Sequence, residues 1–261
     1  MWAVSGGYLD SPTPLAFAHR GGSEIEDNLG IENSLAAFAH AYALGFRYLE
    51  TDVRCSSDGL VYAFHDETFD RMTGNSAAFV TLTGADIDAH RLGDREAIPL
   101  LSVLYDAFPD ARFNIDVKSD DAVDATCAVI EAHAAVERTC LASFEHSRLS
   151  RIRRRLPAVA TSGSTREVAL VKILPAFVLR ITGAPKGVCL QVPAKHHGIT
   201  VVTPRFIRRA HALGQQVHVW TINDAAEINR LLDLGVDGII TDRTDVLKDV
   251  LIARGSWKGP T

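Results

Sequence analysis

A (β/α)8 barrel, the TIM-barrel form of the α/β class, is predicted by three observations. Strand-like runs, eight in number, are nearly all separated by helix-like segments along the 261 residues. Such alternation indicates parallel strands joined by helical crossovers, and eight units of this kind need about 250 residues. The first run is followed by His19-Arg20-Gly21-Gly22, not by the G-x-G-x-x-G turn typical of a doubly wound open sheet. The barrel is therefore favoured over the open sheet.

The predicted strands are short apolar runs, most of which end at a polar residue. Runs of this length bounded by turn signals are typical of strands buried in a parallel sheet. They are Leu15–Ala18, Tyr48–Val53, Arg112–Lys118, Thr139–Phe144, Ala158–Ser162, Gly187–Val192, Gln216–Thr221 and Gly238–Thr241.

The predicted helices follow the strands, and several have recognisable ends. Asn33 or Ser34 can cap the first helix, Gly45 ends it, and Pro204 occupies a favourable place in the first turn of a later one. The helices are predicted over residues 35–44, 100–108, 122–136, 147–155, 165–179 with an interruption at Pro175, 203–214, 224–234 and 244–253.

The second strand is followed by a hairpin and then by an irregular stretch. Ser57-Asp58-Gly59 forms the turn, and Leu60–Phe64 is the returning run. Residues 66–99 are polar and lack a clear period. No linker rich in proline, glycine or serine divides the chain. We therefore predict a single domain over residues 1–261 with a small insertion at about 66–99.

Composition excludes several classes of protein. The chain is 47% hydrophobic and 23% charged, with a net charge of -5 and no basic block, so we expect no nucleic-acid partner. The four cysteines are too widely spaced for a disulfide framework or a zinc motif and are expected to be reduced thiols. Neither a signal peptide nor a transmembrane segment is recognisable, which makes a cytoplasmic protein the default.

Charged side chains gather at the ends of neighbouring strands. Glu50 and Asp52 are two residues apart on one strand and would lie on the same face. This pair alone fits a site for Mg²⁺ or Ca²⁺ and a solvated edge strand equally well. The neighbouring strand ends add His19 and Arg20 on one side and Asp116 and Lys118 on the other, and the hairpin adds His65. Charges brought inward at these ends must neutralise one another, a metal or an anion.

The residue types indicate phosphoryl transfer. Three carboxylates can bind a hard divalent cation, Mg²⁺ or Ca²⁺, and Arg20 and Lys118 can bind phosphate oxygens. His19 and His65 can exchange protons near neutral pH. One histidine would deprotonate the nucleophile while the other protonates the leaving oxygen. The carboxylates of this set are Glu50, Asp52 and Asp116.

The sequence resembles the glycerophosphodiester phosphodiesterase family over nearly its whole length. The matching segments occur in the family's order. They are His19-Arg20-Gly21, Glu32-Asn33-Ser34, Glu50-Thr51-Asp52-Val53, Ser57-Asp58-Gly59, Phe64-His65-Asp66, Asp116-Val117-Lys118, Ser143-Phe144, Val219-Trp220-Thr221-Ile222-Asn223 and Asp237-Gly238-Ile239-Ile240-Thr241-Asp242.

The resemblance implies a metal-dependent enzyme that releases sn-glycerol 3-phosphate and an alcohol from small glycerophosphodiesters. By resemblance, His19 and His65 are the acid/base pair, and the carboxylates at positions 50, 52 and 116 hold one divalent cation. Arg20 and Lys118 would bind phosphate, and Trp220 would line the pocket or belong to the barrel core. Attack by the substrate's own vicinal hydroxyl, through a cyclic phosphate, is also implied.

The chain departs from the family pattern in places. Asp116 stands where the family usually has glutamate, which shortens that ligand by one methylene. The loop from Gly22 to Ile31 is longer and more acidic than usual, with Glu24, Glu26 and Asp27. It is interpreted either as a solvated, mobile loop or as a source of preference for a cationic head group. The apolar residues around Pro175 are either a buried helix or a weak lipid or homo-oligomer contact.

Two other functions remain open from the sequence. The first is lysophospholipase D-type hydrolysis of acylated lysophospholipids, which needs an apolar channel that we expect only near Pro175. The second is a catalytically silent binding barrel, which is disfavoured because both histidines and all three carboxylates are present.

Overall fold

The computed structural model describes residues 7–183 and 185–259. Its main sheet is parallel apart from one hairpin strand, and the strand order is β8-β7-β6-β2-β1-β13-β12-β9, with β3 antiparallel to β2. The strands are β1 (Leu15–His19), β2 (Tyr48–Cys55), β3 (Val61–Ala63), β4 (Thr68–Phe69), β5 (Asn75–Ala78), β6 (Arg112–Val117), β7 (Thr139–Ala142), β8 (Ala160–Thr161), β9 (Cys189–Pro193), β10 (Lys195–His196), β11 (Ile199–Thr200), β12 (Gln216–Trp220) and β13 (Gly238–Thr241).

The two ends of this strand order meet and almost close the sheet. Ser162 forms a parallel bridge with Cys189, and the amide of Gly163 donates to the carbonyl of Cys189 at 2.8 Å. Gly187 makes this approach possible, because a Cβ at that position would lie 2.6 Å from the Ser162 backbone. The chain therefore forms a nearly closed eight-stranded parallel barrel, which confirms the predicted fold class and excludes the open doubly wound sheet.

Most helices cover the outside of the barrel between the strands, and the two short helices at residues 70–73 and 84–88 lie in the insertion instead. They are α1 (Leu35–Ala43), α2 (Asp70–Thr73), α3 (Gly84–Asp88), α4 (Leu101–Ala107), α5 (Ala122–Ala132), α6 (His146–Arg155), α7 (Thr165–Ile173), α8 (Ala176–Thr182), α9 (Pro204–Ala212), α10 (Ala225–Asp233) and α11 (Thr244–Ala253). Short 3-10 turns occur at Glu26–Asn28, Phe79–Thr81 and Val136–Arg138.

The helix predicted over residues 165–179 is two helices. Pro175 is the N-cap residue of α8, and α7 ends two residues earlier at Ile173. A proline has no backbone N–H and disfavours helical geometry in the residue before it, so the chain breaks here rather than bends. Of the apolar residues predicted to surround Pro175, Leu179 is buried, whereas Phe177 is exposed.

The insertion after β3 has a hydrophobic core of its own, which the sequence did not predict. The rings of Phe64, Phe69 and Phe79 stack with centroids 4.8 to 5.2 Å apart. Buried aliphatic side chains, among them Ile87 and Leu92, complete this cluster. Residues 66–99 are therefore a small packed unit attached to the barrel.

A segment before β1 packs against the amino-terminal end of the barrel. The Tyr48 hydroxyl donates to the Tyr8 carbonyl at 2.6 Å, and Arg112 donates to the carbonyl of Gly7 at 3.0 Å. The rings of Tyr8, Phe17 and Tyr48 form a buried aromatic cluster at this end. The first six residues, on which part of the signal-peptide prediction rests, lie outside the described part of the chain.

None of the helices in the described ranges is long and apolar enough to cross a membrane.

Candidate active site

Strand register brings the predicted site residues of three neighbouring strands together. The Cα of His19 in β1 is paired with that of Glu50 in β2, and the Cα of Asp52 is paired with that of Asp116 in β6. All four side chains, with Arg20, His65, Lys118 and Trp220, line one cavity of about 410 Å³ at the carboxyl ends of the strands. The cluster predicted from strand ends is therefore a spatial cluster.

Asp52 is the centre of a buried ion-pair network. Its Oδ2 atom lies 3.0 Å from Arg20 Nε, and its Oδ1 atom lies 2.8 Å from Lys118 Nζ. Lys118 Nζ also donates to Asp116 Oδ2 at 2.7 Å. Burial opposes ionisation of Asp52, but the two cations outweigh it and hold its pKa well below the usual range. Asp52 is therefore an anion at neutral pH.

Nearby cations balance the negative charges of Glu50 and Asp116 far less well than that of Asp52. Burial and the charge of Asp52 raise the pKa of Glu50 to about 7. Burial likewise raises the pKa of Asp116, and its Oδ1 atom is buried without a hydrogen-bond partner. Within the described ranges these acids are not arranged as a ready-made metal cluster, and the ammonium of Lys118 lies between Asp52 and Asp116.

The donor set nevertheless fits a hard cation. Partnerless carboxylate oxygens in a buried site are unfavourable unless a positive charge or a donor reaches them. The Oδ1 atom of Asp116 has this unmet capacity, whereas Glu50 Oε2 accepts only a long hydrogen bond of 3.3 Å from the Arg20 amide. Both side chains line the cavity. Oxygen ligands of this kind are those that Mg²⁺ and Ca²⁺ prefer.

His19 is held by the carboxylate of Asp242, the residue that follows the last barrel strand. Its Nδ1 atom lies 2.6 Å from Asp242 Oδ1, and its Nε2 atom lies 3.8 Å from Glu50 Oε2. Ser23 and Asn223 donate to the same Asp242 carboxylate, whose pKa is lowered to about 2 despite its burial. Burial disfavours the charged form of His19, but Glu50 and Asp242 outweigh it and raise the pKa of His19.

His65 has the same kind of support from a neighbour in sequence. Its Nδ1 atom lies 2.6 Å from Asp66 Oδ1, and its carbonyl accepts from Arg54 at 3.0 Å. Burial lowers the pKa of His65, although Asp52 and Asp66 act in the opposite direction. In both histidines Nδ1 is engaged by a carboxylate, which leaves Nε2 as the atom free to act on a substrate.

Arg71, which lies in the insertion, connects the partner of His65 with the partner of Arg20. Arg71 donates from Nε to Asp66 at 2.7 Å and from its terminal nitrogens to Glu32 at 2.6 and 2.9 Å. Glu32 in turn accepts from Arg20 at 2.9 Å. The insertion therefore helps to orient Arg20 and, through Asp66, also His65.

The outer part of the cavity is apolar. Its walls come from α7, β9 and the segment after β11, and a T-shaped pair between Phe144 and Trp220 lies beside them, with centroids 5.7 Å apart. The aliphatic wall residues are Val168, Ala169, Val192, Pro193 and Val201. The three acidic residues of the 22–31 loop are not among the residues that line the cavity, so the cationic head-group interpretation gains no support from its walls.

Sequence reasoning missed several supporting residues. Asp242 and Asp66 were noticed only as ends of motifs, and Arg71 was not singled out. The histidine-adjacent position of Asp66 was a usable signal, since a carboxylate beside a histidine often fixes its tautomer. Asp242 offered no such signal, because only barrel closure brings it to His19.

Comparisons with known proteins agree on the family. A profile of the glycerophosphoryl diester phosphodiesterase family matches residues 19–246. A probable glycerophosphodiester phosphodiesterase 2 of Mycobacterium tuberculosis is 39% identical over 94% of this chain and 93% of its own length. A human lysophospholipase D is 25% identical over 90% of this chain and 85% of its own.

A solved structure has the same fold. A phosphodiesterase of Oleispira antarctica, in complex with the product sn-glycerol-3-phosphate, superimposes with a TM-score of 0.77. It is 21% identical, and the match covers 92% of this chain and 97% of that one. At 21% identity, this similarity shows a shared fold and nothing more specific.

Proposed function

This chain belongs to the glycerophosphoryl diester phosphodiesterase family and is an enzyme of that class, and we propose that it uses a divalent cation and the pair His19 and His65. The reaction is hydrolysis of a glycerophosphodiester to sn-glycerol 3-phosphate and an alcohol.

The observation that carries this proposal is that both histidines are held by a carboxylate in the same way. Each donates from Nδ1 to a carboxylate 2.6 Å away, and both line the cavity that also contains Arg20 and Lys118. A fixed Nδ1–H tautomer leaves Nε2 as the base or, when protonated, as the acid. Two such groups in one cavity with two cations form a general acid/base pair around a phosphate.

The chain's own residues account for the main steps. Arg20 and Lys118 bind the non-bridging phosphate oxygens and stabilise the charge that develops on them. Nε2 of one histidine takes the proton of the attacking hydroxyl. Nε2 of the other gives a proton to the leaving oxygen, and the roles reverse when water opens a cyclic phosphate. Asp242 and Asp66 keep both rings oriented throughout.

Glu50, Asp52 and Asp116 would hold the cation. When bound, it would supply Lewis-acid stabilisation of the phosphoryl group. The partnerless Oδ1 atom of Asp116 and the raised pKa of the buried Glu50 support this assignment. Asp52 would share its charge between the cation and the two basic side chains.

A second candidate substrate is favoured by the outer cavity. A small hydrophilic alcohol such as glycerol would cover little of the five aliphatic side chains that line it. Burying apolar surface contributes about 25 cal/mol per Å², so a substrate with an acyl chain would gain from this wall. Lysophospholipase D-type hydrolysis therefore stays a candidate, with the apolar channel on α7 and β9 rather than at Pro175.

The test is release of glycerol 3-phosphate from glycerophosphocholine, with and without EDTA, alongside choline release from lysophosphatidylcholine. We expect EDTA to abolish turnover and Mg²⁺ or Ca²⁺ to restore it. His19→Ala and His65→Ala should each remove activity while the circular dichroism spectrum stays unchanged. Near wild-type turnover in either variant would contradict the two-histidine assignment, and a silent barrel would turn over no diester at all.

A further inference from the structure

One segment of the chain has a charge opposite to that of the rest. From Val168 to Asn223 the sequence contains seven lysines and arginines and no aspartate or glutamate, although the whole chain carries a net charge of -5. The cationic residues are Lys172, Arg180, Lys186, Lys195, Arg205, Arg208 and Arg209. The segment forms most of α7, all of α8 and α9, and the β10–β11 hairpin.

The same segment holds the most exposed large apolar side chains of the described residues. Ile181, Ile173, Phe177 and Ile199 are 83%, 71%, 67% and 63% exposed. Single exposed apolar residues are ordinary on a protein surface. Four of them within one short, acid-free segment are a local concentration that ordinary surface composition does not explain. We call α7, α8, α9 and the β10–β11 hairpin, with these four side chains, the basic apolar face.

The basic apolar face borders the mouth of the cavity. Lys172 and His196 line the cavity, and Lys172 Nζ donates to the carbonyl of Thr200 and thus ties α7 to the hairpin. Ile173 and Ile199 are the chain neighbours of Lys172 and Thr200. All six hairpin residues are exposed, and its turn is formed by His197 and Gly198, both with positive φ.

Part of the positive charge on this face is free to act on a partner. Arg209 is buried and donates to the carbonyl of Val171, and Arg180 donates to the carbonyl of Ala212. Lys195 lies in the field of Glu227, which is already paired with Arg230. Lys186, Arg205 and Arg208 are exposed, and no ion pair to them occurs among the described residues.

We propose that the basic apolar face docks the enzyme on an anionic phospholipid surface. Aliphatic and aromatic side chains flanked by lysine and arginine are the chemistry of an interfacial lipid contact, in which apolar groups enter the headgroup region and cations meet anionic lipids. Docking on this face would turn the apolar side of the cavity mouth toward the lipid. The inference goes beyond the proposed hydrolysis, because binding to vesicles requires no turnover.

The experiment is co-sedimentation of the full chain with vesicles of phosphatidylcholine alone or mixed with phosphatidylglycerol. We expect binding to the mixed vesicles, weak binding to phosphatidylcholine alone, and loss of binding at high salt because screening removes the charge attraction. Lys186→Glu combined with Arg205→Glu should lower the partition coefficient roughly tenfold or more. Phe177→Ser combined with Ile199→Ser should weaken binding to the same vesicles.

Matched controls lie on other faces of the barrel. Arg154→Glu with Lys258→Glu makes the same change of charge at exposed positions. Val103→Ser with Ile252→Ser replaces two other exposed apolar side chains, which are 40% and 42% exposed. Both should bind as the wild type does. All variants should keep the wild-type melting temperature and the wild-type turnover of dissolved glycerophosphocholine, since none of the altered residues lines the cavity.

Several results would overturn the proposal. Equal binding to both kinds of vesicle, or equal losses in the face variants and the controls, would do so. A concentration-dependent dimer in size-exclusion chromatography that the Phe177→Ser and Ile199→Ser changes abolish would assign the face to a second copy instead. If the protein bound vesicles but hydrolysed no substrate, the result would count against the proposed function and not against docking on lipid.

Discussion

Asp242 is separated by 223 positions from the histidine that it orients. The carboxylate is fixed by Ser23 and Asn223 and accepts from His19 Nδ1, so it decides which ring nitrogen faces the cavity. Comparable support of a catalytic histidine in other hydrolases is worth several orders of magnitude in rate. Asp242 is therefore a positioning residue, whereas His19 itself is proposed to touch the substrate.

Asp242→Asn should lower kcat by about 100-fold or more while KM changes little, because the tautomer and not the binding site is disturbed. Asp242 also raises the pKa of His19, so its loss should move any limb of the kcat–pH profile that reports His19 to lower pH. Steady-state kinetics across pH measure both effects. Ser23→Ala, which removes one hydrogen bond to Asp242 but not its charge, should show a much smaller change, and equal effects would argue for a purely structural role.

Asp116 is the proposed cation ligand with one unsatisfied oxygen. Its Oδ2 atom accepts from Lys118, and its Oδ1 atom is buried with no partner. Asp116→Glu should extend the carboxylate further into the cavity and tighten cation binding, seen as a lower Mg²⁺ concentration for half-maximal activity and a lower Kd by titration calorimetry. Asp110→Glu, at an exposed turn, should change neither value. Weaker binding by Asp116→Glu would indicate that Asp116 does not reach the cation.

At the scale of elements, a buried carboxylate helps to attach α7 to its neighbours. Glu167 pairs with Arg153 of α6 at 2.9 and 3.1 Å and accepts from the amides of Ser164 and Lys186. Burial opposes its ionisation, but Arg153 and these amides outweigh it and lower the pKa of Glu167 below its ordinary value of 4.5. This pair helps to hold the helix whose inner face forms the apolar wall of the cavity.

The lowered pKa of Glu167 gives a pH-dependent contribution to stability. Because the folded pKa lies below the unfolded one, the contribution is present above about pH 4.5 and is lost as the pH falls through the folded pKa. Glu167→Gln should cost about 3 kcal/mol at neutral pH and flatten the loss of stability in acid, measured by urea unfolding at several pH values. The exposed pair of Glu131 and Arg155 is the control, and Glu131→Gln should hardly change the unfolding midpoint.

Elements also show where sequence reasoning succeeded and where it could not. The strands of the barrel were predicted because buried parallel strands are short apolar runs between turn signals. The insertion was taken as irregular because Phe69 and Phe79 are isolated in the sequence and become a core only when they stack on Phe64. The apolar wall was missed because Val168 and Val201 belong to different elements and meet only in the folded chain.

Like the fold, the candidate site could be predicted from the sequence only in part. Two-residue spacing and strand ends were enough to bring Glu50, Asp52 and Asp116 to one place, since parallel register fixes neighbours once the strand order is known. The position of Lys118 between two carboxylates depends on side-chain conformation, which no spacing rule contains. Long-range partners such as Asp242 follow from the closed barrel and not from any local pattern.

For the whole molecule, closure between β8 and β9 completes the cavity, because Ser162 and Gly163 after β8 and Val192 of β9 all line it. The seam between β8 and β9 has few hydrogen bonds, among them those from Val188 to Thr161 and from Gly163 to Cys189, both at 2.8 Å. It also depends on the absence of a side chain at Gly187, next to the backbone of Ser162. The seam is thus the place where a small change should affect the entire barrel.

Gly187→Ala should destabilise the protein by about 2 kcal/mol, since a methyl group there must push the Ser162 backbone away and weaken the bridge to Cys189. Thermal unfolding measures the loss, and hydrogen exchange should show faster exchange of the Gly163 amide before that of amides in β2 or β6. Lys186→Ala, at the exposed neighbouring position, is the control and should leave the melting temperature unchanged. If both variants unfold alike, closure at this seam does not limit stability, and the barrel is held together chiefly by the packing of its helices on the strands.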